Sequence, residues 1–159
     1  MKSLKPILFL LIIVTNGHSI ASEKDKSFQE QSMLSVLYVQ TSTEFAANNI
    51  QTFNNASKAL DIALQDKSWT AALEQKGNFE SKIPAIIVDV DETVLDNSSF
   101  QSRTILSGLS YPNGWAKWVN ESEATAVEGV YEFLHYANDN NVKIFYVTIS
   151  PHHTSKLYS

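Results

Sequence analysis

Two acidic residues near the end of an apolar run have the types and spacing that phosphoryl transfer requires. Asp89 lies within the run Ala85–Val90, and Asp91 follows that run directly. A carboxylate can attack phosphorus and form an acyl-phosphate, which divides hydrolysis into two displacements. We predict Asp89 as this nucleophile, and Asp91 as the acid that protonates the leaving oxygen and then deprotonates water. Asp is also common in solvated turns and helix caps, which are the structural alternative.

The same acids predict a divalent cation. Two carboxylates and a phosphate accumulate negative charge, and Mg²⁺ is commonly held by one or two carboxylates together with substrate oxygens. We expect Asp89 and Asp91 as its ligands, through the Asp89 side chain and the Asp91 backbone carbonyl. Thr93 and Thr148 are the predicted phosphate-binding residues. Thr93 would orient the loop by hydrogen bonding, and Thr148 would donate to a phosphoryl oxygen.

A strand–helix–strand crossover is predicted to bring these residues together. The run Ala85–Val90 is rich in branched residues, as in a buried parallel strand. A helix is predicted over Ala124–Asn138 and a second strand over Val142–Val147. Ligand sites of open parallel sheets lie at the carboxyl ends of the strands. Asp89 and Thr148 are therefore expected to be neighbours.

Apolar residues recur at helical spacing before the first strand, from Ser32 to Gln65. The spacing predicts one long helix, or two helices with a break near Ala47–Asn49. A short helix is predicted next, over Trp69–Gln75, with Gly77 as its left-handed terminal residue. Trp69 is expected to pack in the core, and stacking on a cofactor is the alternative.

Aromatic and histidine residues offer further candidate sites. Packing and stacking on a nucleobase are both open for four aromatic residues between the predicted strands: Phe100, Tyr111, Trp115 and Trp118. His135 lies in the helix predicted over Ala124–Asn138 and is expected at or near the protein surface. His152 and His153 have no companion ligand nearby, and we predict an irregular tail there and no metal site.

Composition excludes several function classes. The chain has 159 residues, of which 43% are hydrophobic and 18% charged, as in ordinary globular proteins. Its formal net charge of -5 provides no basic stripe for nucleic acid, whereas a small phosphomonoester needs only a few local donors. The absence of cysteine excludes disulfides, thiolate catalysis, cysteine–zinc sites and lipid attachment to an N-terminal cysteine. Composition sets no oligomeric state.

The N-terminus has the order of features found in secretory signals. Lys2 and Lys5 precede the apolar run Ile7–Val14, and Ser19–Ala21 carries small residues where a signal peptidase reads the chain. A membrane anchor is the alternative, but the apolar run is far shorter than the roughly 20 residues that cross a bilayer. We predict a signal peptide over residues 1–21, and a periplasmic or secreted protein with no stable membrane anchor after cleavage.

The segment Asp89–Ser98 after the aliphatic strand resembles the first motif of the haloacid dehalogenase (HAD) superfamily, specifically of the bacterial class C (subfamily IIIB) acid phosphatases, which include lipoprotein 5'-nucleotidases. Further segments resemble that family in the same order: Val39–Ser42, Glu44–Phe45, Ser68–Gln75, Trp115–Asn120 and Phe145–Thr148. The resemblance implies an α/β, Rossmann-like fold with a helical N-terminal region. It also implies magnesium-dependent hydrolysis of phosphomonoesters, such as nucleoside monophosphates. On this resemblance Asp89 matches the nucleophile, Asp91 the general acid and base, and Thr148 the second-motif hydroxyl.

The resemblance ends soon after Thr148. Ile149 and Ser150 stand where the family usually has Asn and then Arg, and the third-motif lysine and fourth-motif acids do not follow. This departure suggests a frameshift or an early stop, with the C-terminal part of the sheet missing and very low activity. A sheet of only two strands would also leave open edges that favour aggregation.

Four segments are therefore predicted along the chain: a signal peptide at 1–21, a helical N-terminal region at 22–80, the first part of a phosphatase domain at 81–148 and an irregular tail at 149–159. An exported acid phosphatase is the first hypothesis. The second is an inactive fragment or pseudoenzyme that acts as an interaction module. A phosphotransferase or dehalogenase of the same superfamily is the third, and Asp91 favours phosphoester chemistry over it.

Overall fold

The computed structural model describes residues 23–149, with side chains from residue 30 onward. Nine elements follow one another in this part of the chain: α1 (Glu23–Thr41), α2 (Thr43–Gln65), β1 (Ala85–Asp89), β2 (Leu95–Asp96), α3 (Ser98–Ser107), α4 (Trp115–Glu121), β3 (Thr125–Ala126), α5 (Val130–Asp139) and β4 (Lys143–Val147). The predicted signal peptide and the residues His152 and His153 lie outside the described residues. None of the described helices has the length and hydropathy of a membrane span.

The N-terminal helical region is two helices that meet at Ser42. This residue has an extended backbone, with φ of -81° and ψ of 117°, and its hydroxyl accepts a hydrogen bond from the Phe45 N–H. A serine hydroxyl at this position satisfies an N–H group of the first helical turn, so α2 begins there. The predicted break near Ala47–Asn49 was wrong. Apolar spacing indicates the helical period, but the capping side chain decides the boundary.

No helix forms over Trp69–Gln75, so that prediction was wrong. The segment is a series of turns in which the Thr70 hydroxyl accepts from the Ala72 N–H at 3.1 Å and donates to the Gln75 side chain at 2.6 Å. These short-range hydrogen bonds compete with the helical ladder. Trp69 is 52% exposed, so the prediction that it packs in the core was wrong. Gly77 has the predicted left-handed backbone, with φ of 84°.

β1 and β4 form the predicted parallel pair. Their register aligns Ala85 with Lys143 and Asp89 with Val147. The Val90 N–H extends the pairing by donating to the Val147 carbonyl at 3.2 Å. The predicted crossover and α/β class are confirmed, and the carboxyl ends of both strands lie at one edge of the sheet.

The helix predicted over Ala124–Asn138 begins only at Val130. Its first residues form β3 instead, which pairs antiparallel with β2 so that Leu95 lies opposite Ala126. Gly129, with φ of 84°, turns the chain from this small sheet into α5. Val127, just after β3, and Val130, the first residue of α5, are both buried. Pairing with a distant strand overrode the local helical pattern.

The helical region and the sheet share one hydrophobic core. Leu60 of α2 packs with Phe133 and Ala137 of α5, while Val88 of β1 packs with Val130, and Phe53 contacts both groups. Val130 is 1% exposed and Ala137 is fully buried. A two-stranded pair is marginal by itself, so packing of these helices must stabilise it. The predicted boundary between residues 22–80 and 81–148 stays a prediction.

Gly129 and Gly77 form a matched pair for testing the contact between α2 and α5. Both have φ of +84°, but a Cβ on Gly129 would lie 3.0 Å from the Ile50 Cα, whereas nothing lies within 4 Å of one on Gly77. We expect Gly77→Ala to lower the free energy of unfolding by about 1 kcal/mol and Gly129→Ala by about 1–3 kcal/mol more. Urea denaturation measures both, and equal losses would contradict close packing at Gly129.

Candidate active site

A tight loop after β1 sets the direction of the two candidate acids. The Val90 carbonyl accepts hydrogen bonds from the N–H groups of Thr93 at 3.4 Å and of Val94 and Leu95 at 2.9 Å each. Glu92 takes a left-handed backbone with φ of 60°, and its N–H donates to the Leu95 carbonyl at 2.8 Å. Val90 and Val94 are buried. The loop is thereby folded back onto its own strand and anchored in the core.

Asp89 lies at the exposed end of β1. The Thr93 hydroxyl donates to the Asp89 Oδ2 at 3.2 Å. The structure therefore brings Thr93 onto the predicted nucleophile, where it can hold one carboxylate oxygen in place. Oδ1 of the same carboxylate is the other oxygen that can act toward a ligand.

Asp91 is half-buried and held from two sides. The Thr148 hydroxyl donates to its Oδ2 at 3.0 Å, and the Asn97 side-chain amide donates to its Oδ1 at 3.1 Å. The sequence predicted Thr148 as a neighbour of Asp89, and in the structure its hydroxyl reaches Asp91, although these two residues are 57 positions apart. The hydrogen that Thr148 donates to Asp91 cannot be donated to a phosphoryl oxygen at the same time. Its phosphate-binding role stays a prediction.

Asn97 is a residue of the site to which the sequence assigned no role. Asn97 is 3% exposed, and its side-chain carbonyl accepts a hydrogen bond from the Trp118 indole N–H at 2.8 Å. Asn97 belongs to the segment Asp89–Ser98 that carries the family resemblance, which is the only sequence signal for it. Its partner lies on α4, 21 residues later, and helical spacing does not reveal that contact.

The candidate stacking residues form a packed aromatic cluster, defined by Phe100, Trp115 and Trp118. The Phe100 ring lies 5.0 Å from the Trp115 ring and 6.3 Å from the Trp118 ring, between centroids. All three are buried, so the packing alternative holds for them. Tyr111 is 60% exposed and contacts the Trp115 ring edge-on at 5.9 Å. It is the exposed aromatic residue of the four.

An ion-pair clamp holds the aromatic cluster from outside. The Arg103 guanidinium on α3 pairs with Glu121, contacts Glu123 at 2.6 Å and lies 4.8 Å above the Trp118 ring centroid. Hydrogen bonding to Glu121 raises the pKa of Arg103, and the same bond lowers the pKa of Glu121 below its ordinary value. The clamp therefore ties α3 to α4 at the ring that reaches Asn97.

Glu92 is the third acid of the loop, and its pKa is raised. Partial burial of the carboxyl group is the main cause, and the negative charges of Asp91 and Asp96 add to it, while hydrogen bonding to Asn97 opposes it. Asp96 itself accepts from the Ser98 N–H at 2.7 Å, at the start of α3. The carboxylates are thus concentrated at one edge of the sheet, where a cation would be favourable.

The donor set at this edge is suitable for Mg²⁺ with ligands shared by substrate and water. Within residues 30–149 no three or more His, Cys, Asp or Glu side chains converge on one point. Two carboxylates with a backbone carbonyl are nonetheless the oxygen donors that Mg²⁺ commonly takes from a protein. Asp89 and Asp91 therefore fit the predicted role.

His135 is exposed against the Tyr131 ring, as expected for a surface residue.

The clamp predicts how stability depends on pH. Because Arg103 lowers the folded-state pKa of Glu121 below 4.5, the ion pair contributes at higher pH and its contribution is lost as pH falls through the lowered value. We expect Glu121→Gln to melt below the parent near about pH 7, and the difference to shrink toward about pH 3. Glu80→Gln, at an exposed carboxylate without an ion pair within residues 30–149, is the control. A difference independent of pH would refute the clamp.

Comparison with known proteins gives concordant matches. A family model described as HAD superfamily, subfamily IIIB (Acid phosphatase) matches residues 14–154. The chain is similar to the class C acid phosphatase from Bacillus anthracis with tungstate bound, at 36% identity and a TM-score of 0.63, covering 74% of this chain and 45% of that chain. A second structure of the class C acid phosphatase from Bacillus anthracis has 35% identity and a TM-score of 0.67, and the match covers 78% of this chain and 48% of that chain. The chain spans about half the length of these solved relatives.

Proposed function

The chain belongs to the acid phosphatases of subfamily IIIB in the HAD superfamily, and on this basis we propose that it hydrolyses small phosphomonoesters through an aspartyl-phosphate intermediate. The observation that carries this proposal is the difference in exposure and hydrogen bonding between two neighbouring carboxylates. Asp89 is exposed with one oxygen held by Thr93, whereas both oxygens of Asp91 accept hydrogen bonds. One acid is presented to a ligand, and the other is fixed beside it.

In the first proposed step, Asp89 Oδ1 attacks the phosphorus of the substrate. A bond forms between this oxygen and phosphorus while the bond from phosphorus to the leaving oxygen breaks. Asp91 donates its proton to the leaving oxygen, so an alcohol or phenol departs. Thr93 restrains the nucleophile by holding Oδ2, which lowers the entropy lost when the reacting atoms align.

In the second proposed step, water releases the phosphate. Asp91, now ionised, accepts a proton from a water molecule whose oxygen attacks phosphorus, and the bond from phosphorus to Asp89 breaks. Inorganic phosphate leaves, and both carboxyl groups return to their starting protonation states. The hydrogen bonds from Asn97 and Thr148 keep Asp91 in place through both proton transfers.

We also propose Mg²⁺ as the cofactor. Asp89 and Asp91 would hold it, with the Asp91 backbone carbonyl as a further oxygen donor. When bound, the ion offsets the negative charge of the carboxylates and the phosphoryl group. The negative charges of Asp91 and Asp96 near Glu92 support this assignment because a nearby cation would offset them.

The substrate class and the compartment extend the same proposal. Nucleoside monophosphates are the candidate substrates, because the exposed Tyr111 ring beside Trp115 offers a face for a base. The Bacillus anthracis relative has tungstate bound, and an oxyanion of that kind is a suitable probe of the site in this chain. Export to the periplasm or the medium is supported by Lys2, Lys5 and the apolar run Ile7–Val14.

Replacement of the nucleophile tests the proposed chemistry. We expect Asp89→Asn to lower phosphate release from 4-nitrophenyl phosphate by at least about 10³-fold, because the amide cannot form an acyl-phosphate. Asp139→Asn, at an exposed acid in the last position of α5, is the control and should retain the parent rate. Equal rates for Asp89→Asn and the parent, or no phosphate release by the parent, would refute the proposed function.

Removal of divalent ions tests the cofactor separately. We expect excess EDTA to reduce phosphate release to the level of Asp89→Asn, and Mg²⁺ in excess of the chelator to restore it, because the site then regains its compensating charge. The parent with Mg²⁺ but no chelator is the control. Full activity after exhaustive chelation would show that the acids act without a metal ion.

A further inference from the structure

A continuous chain of hydrogen bonds links the packed aromatic cluster to the candidate acid. The Trp118 indole N–H donates to the Asn97 Oδ1 at 2.8 Å, and the Asn97 Nδ2 donates to the Asp91 Oδ1 at 3.1 Å. The Thr148 hydroxyl donates to the other Asp91 oxygen at 3.0 Å. Three segments distant in sequence therefore meet at one carboxylate.

The indole decides which way the Asn97 amide faces. An indole N–H is a donor only, whereas an Asn side chain carries an acceptor on one side and two donors on the other. Because Asn97 and Trp118 are each 3% exposed, water cannot readily replace either partner. The amide oxygen must then face Trp118, and the amide nitrogen must face Asp91.

We propose that Trp118 and Asn97 are positioning residues for Asp91. The indole sets the amide orientation, and the amide together with Thr148 fixes the plane of the Asp91 carboxylate for proton transfer to the leaving oxygen. This role rests on the proposed phosphatase function. A misplacement of a proton donor by a small distance costs rate even when the residue itself is retained.

Packing alone does not explain the contact. Trp118 fills the aromatic cluster with Phe100 and Trp115, and a ring without a nitrogen would fill the same volume almost as well. The polar atom of the ring nevertheless points to the buried Asn97 side chain. Arg103 lies above the ring and pairs with Glu121 and Glu123, which restrains the indole further. The donor is thus held in a defined direction.

Trp118→Phe and Trp115→Phe are a matched pair of variants. Each removes an indole from the same buried cluster, but only the first removes the donor to Asn97. Without that donor the amide can rotate and place its oxygen toward the Asp91 carboxylate, which repels it. Loss of ring volume is common to both variants, whereas Trp118→Phe also removes the hydrogen bond to Asn97 and alters the ring beneath Arg103, so the dependence on the leaving group is needed to report the hydrogen bond.

Substrates with different leaving groups separate positioning from general damage. For an alkyl phosphate, whose leaving oxygen needs a proton, we expect Trp118→Phe to lower kcat/KM by about tenfold or more, because kcat/KM reports the first step and not the later release of phosphate that both substrates share. For 4-nitrophenyl phosphate, whose leaving group departs without a proton, we expect Trp118→Phe to lower kcat/KM by at most about threefold. Trp115→Phe should lower kcat/KM by the same factor for the two substrates. Equal losses for the two substrates in Trp118→Phe would overturn the inference.

Nuclear magnetic resonance of the full chain tests the same coupling without activity. We expect Trp118→Phe to shift the Asn97 side-chain amide signals and the Asp91 carboxyl carbon signal, and Trp115→Phe to leave both in place. If the parent hydrolyses neither substrate, the proposed function fails, and this measurement then decides whether Trp118 sets the orientation of Asn97 against Asp91. Unchanged Asn97 and Asp91 signals in Trp118→Phe would overturn it.

Asp91→Ala examines the coupling from the other end with the aromatic cluster intact, so it also serves if Trp118→Phe does not fold. We expect the indole N–H signal of Trp118 to move because its acceptor Asn97 loses the Asp91 carboxylate as a partner. The signal of the exposed Trp69 is the internal control and should stay in place. A stationary Trp118 signal in a folded Asp91→Ala chain would contradict the proposed coupling.

Discussion

The parallel pairing of β1 with β4 is the interaction on which the candidate site depends. It aligns Asp89 with Val147 and continues as the hydrogen bond from the Val90 N–H to the Val147 carbonyl. This register places Thr148 on the Asp91 carboxylate. A shift of one residue would turn every side chain of β4 to the opposite face of the sheet, and the contact between Thr148 and Asp91 would be lost.

The helical layer maintains this register. Two strands alone would be marginal in water, but α2 and α5 bury one face of the pair through Leu60, Phe133 and Val130. The start of α5 lies close to α2 because the chain turns at Gly129, directly against α2. Stability and site geometry are thus coupled, since loosening of the contact between α2 and α5 would release the strands that carry the acids.

Buried polar contacts then distinguish two acids that are alike in sequence. Asp89 stays exposed at the strand end, while Asp91 is fixed by Asn97 and Thr148. A buried hydrogen-bond network is stabilising only when each of its members is satisfied, and the donor-only indole of Trp118 satisfies the Asn97 oxygen. The two carboxylates therefore have different surroundings, as the roles of nucleophile and general acid proposed for them require.

By itself the sequence determined the α/β class, the two strands and the candidate acids Asp89 and Asp91, because apolar runs and charges at their ends are local patterns. Only the tertiary structure decided that Ala124–Asn138 begins as a strand, that Trp69–Gln75 forms turns, and that Trp118 meets Asn97. The physical reason is the same in each case. Periodicity reports which side of a segment is apolar, whereas strand pairing and buried hydrogen bonds depend on which distant segment packs against it.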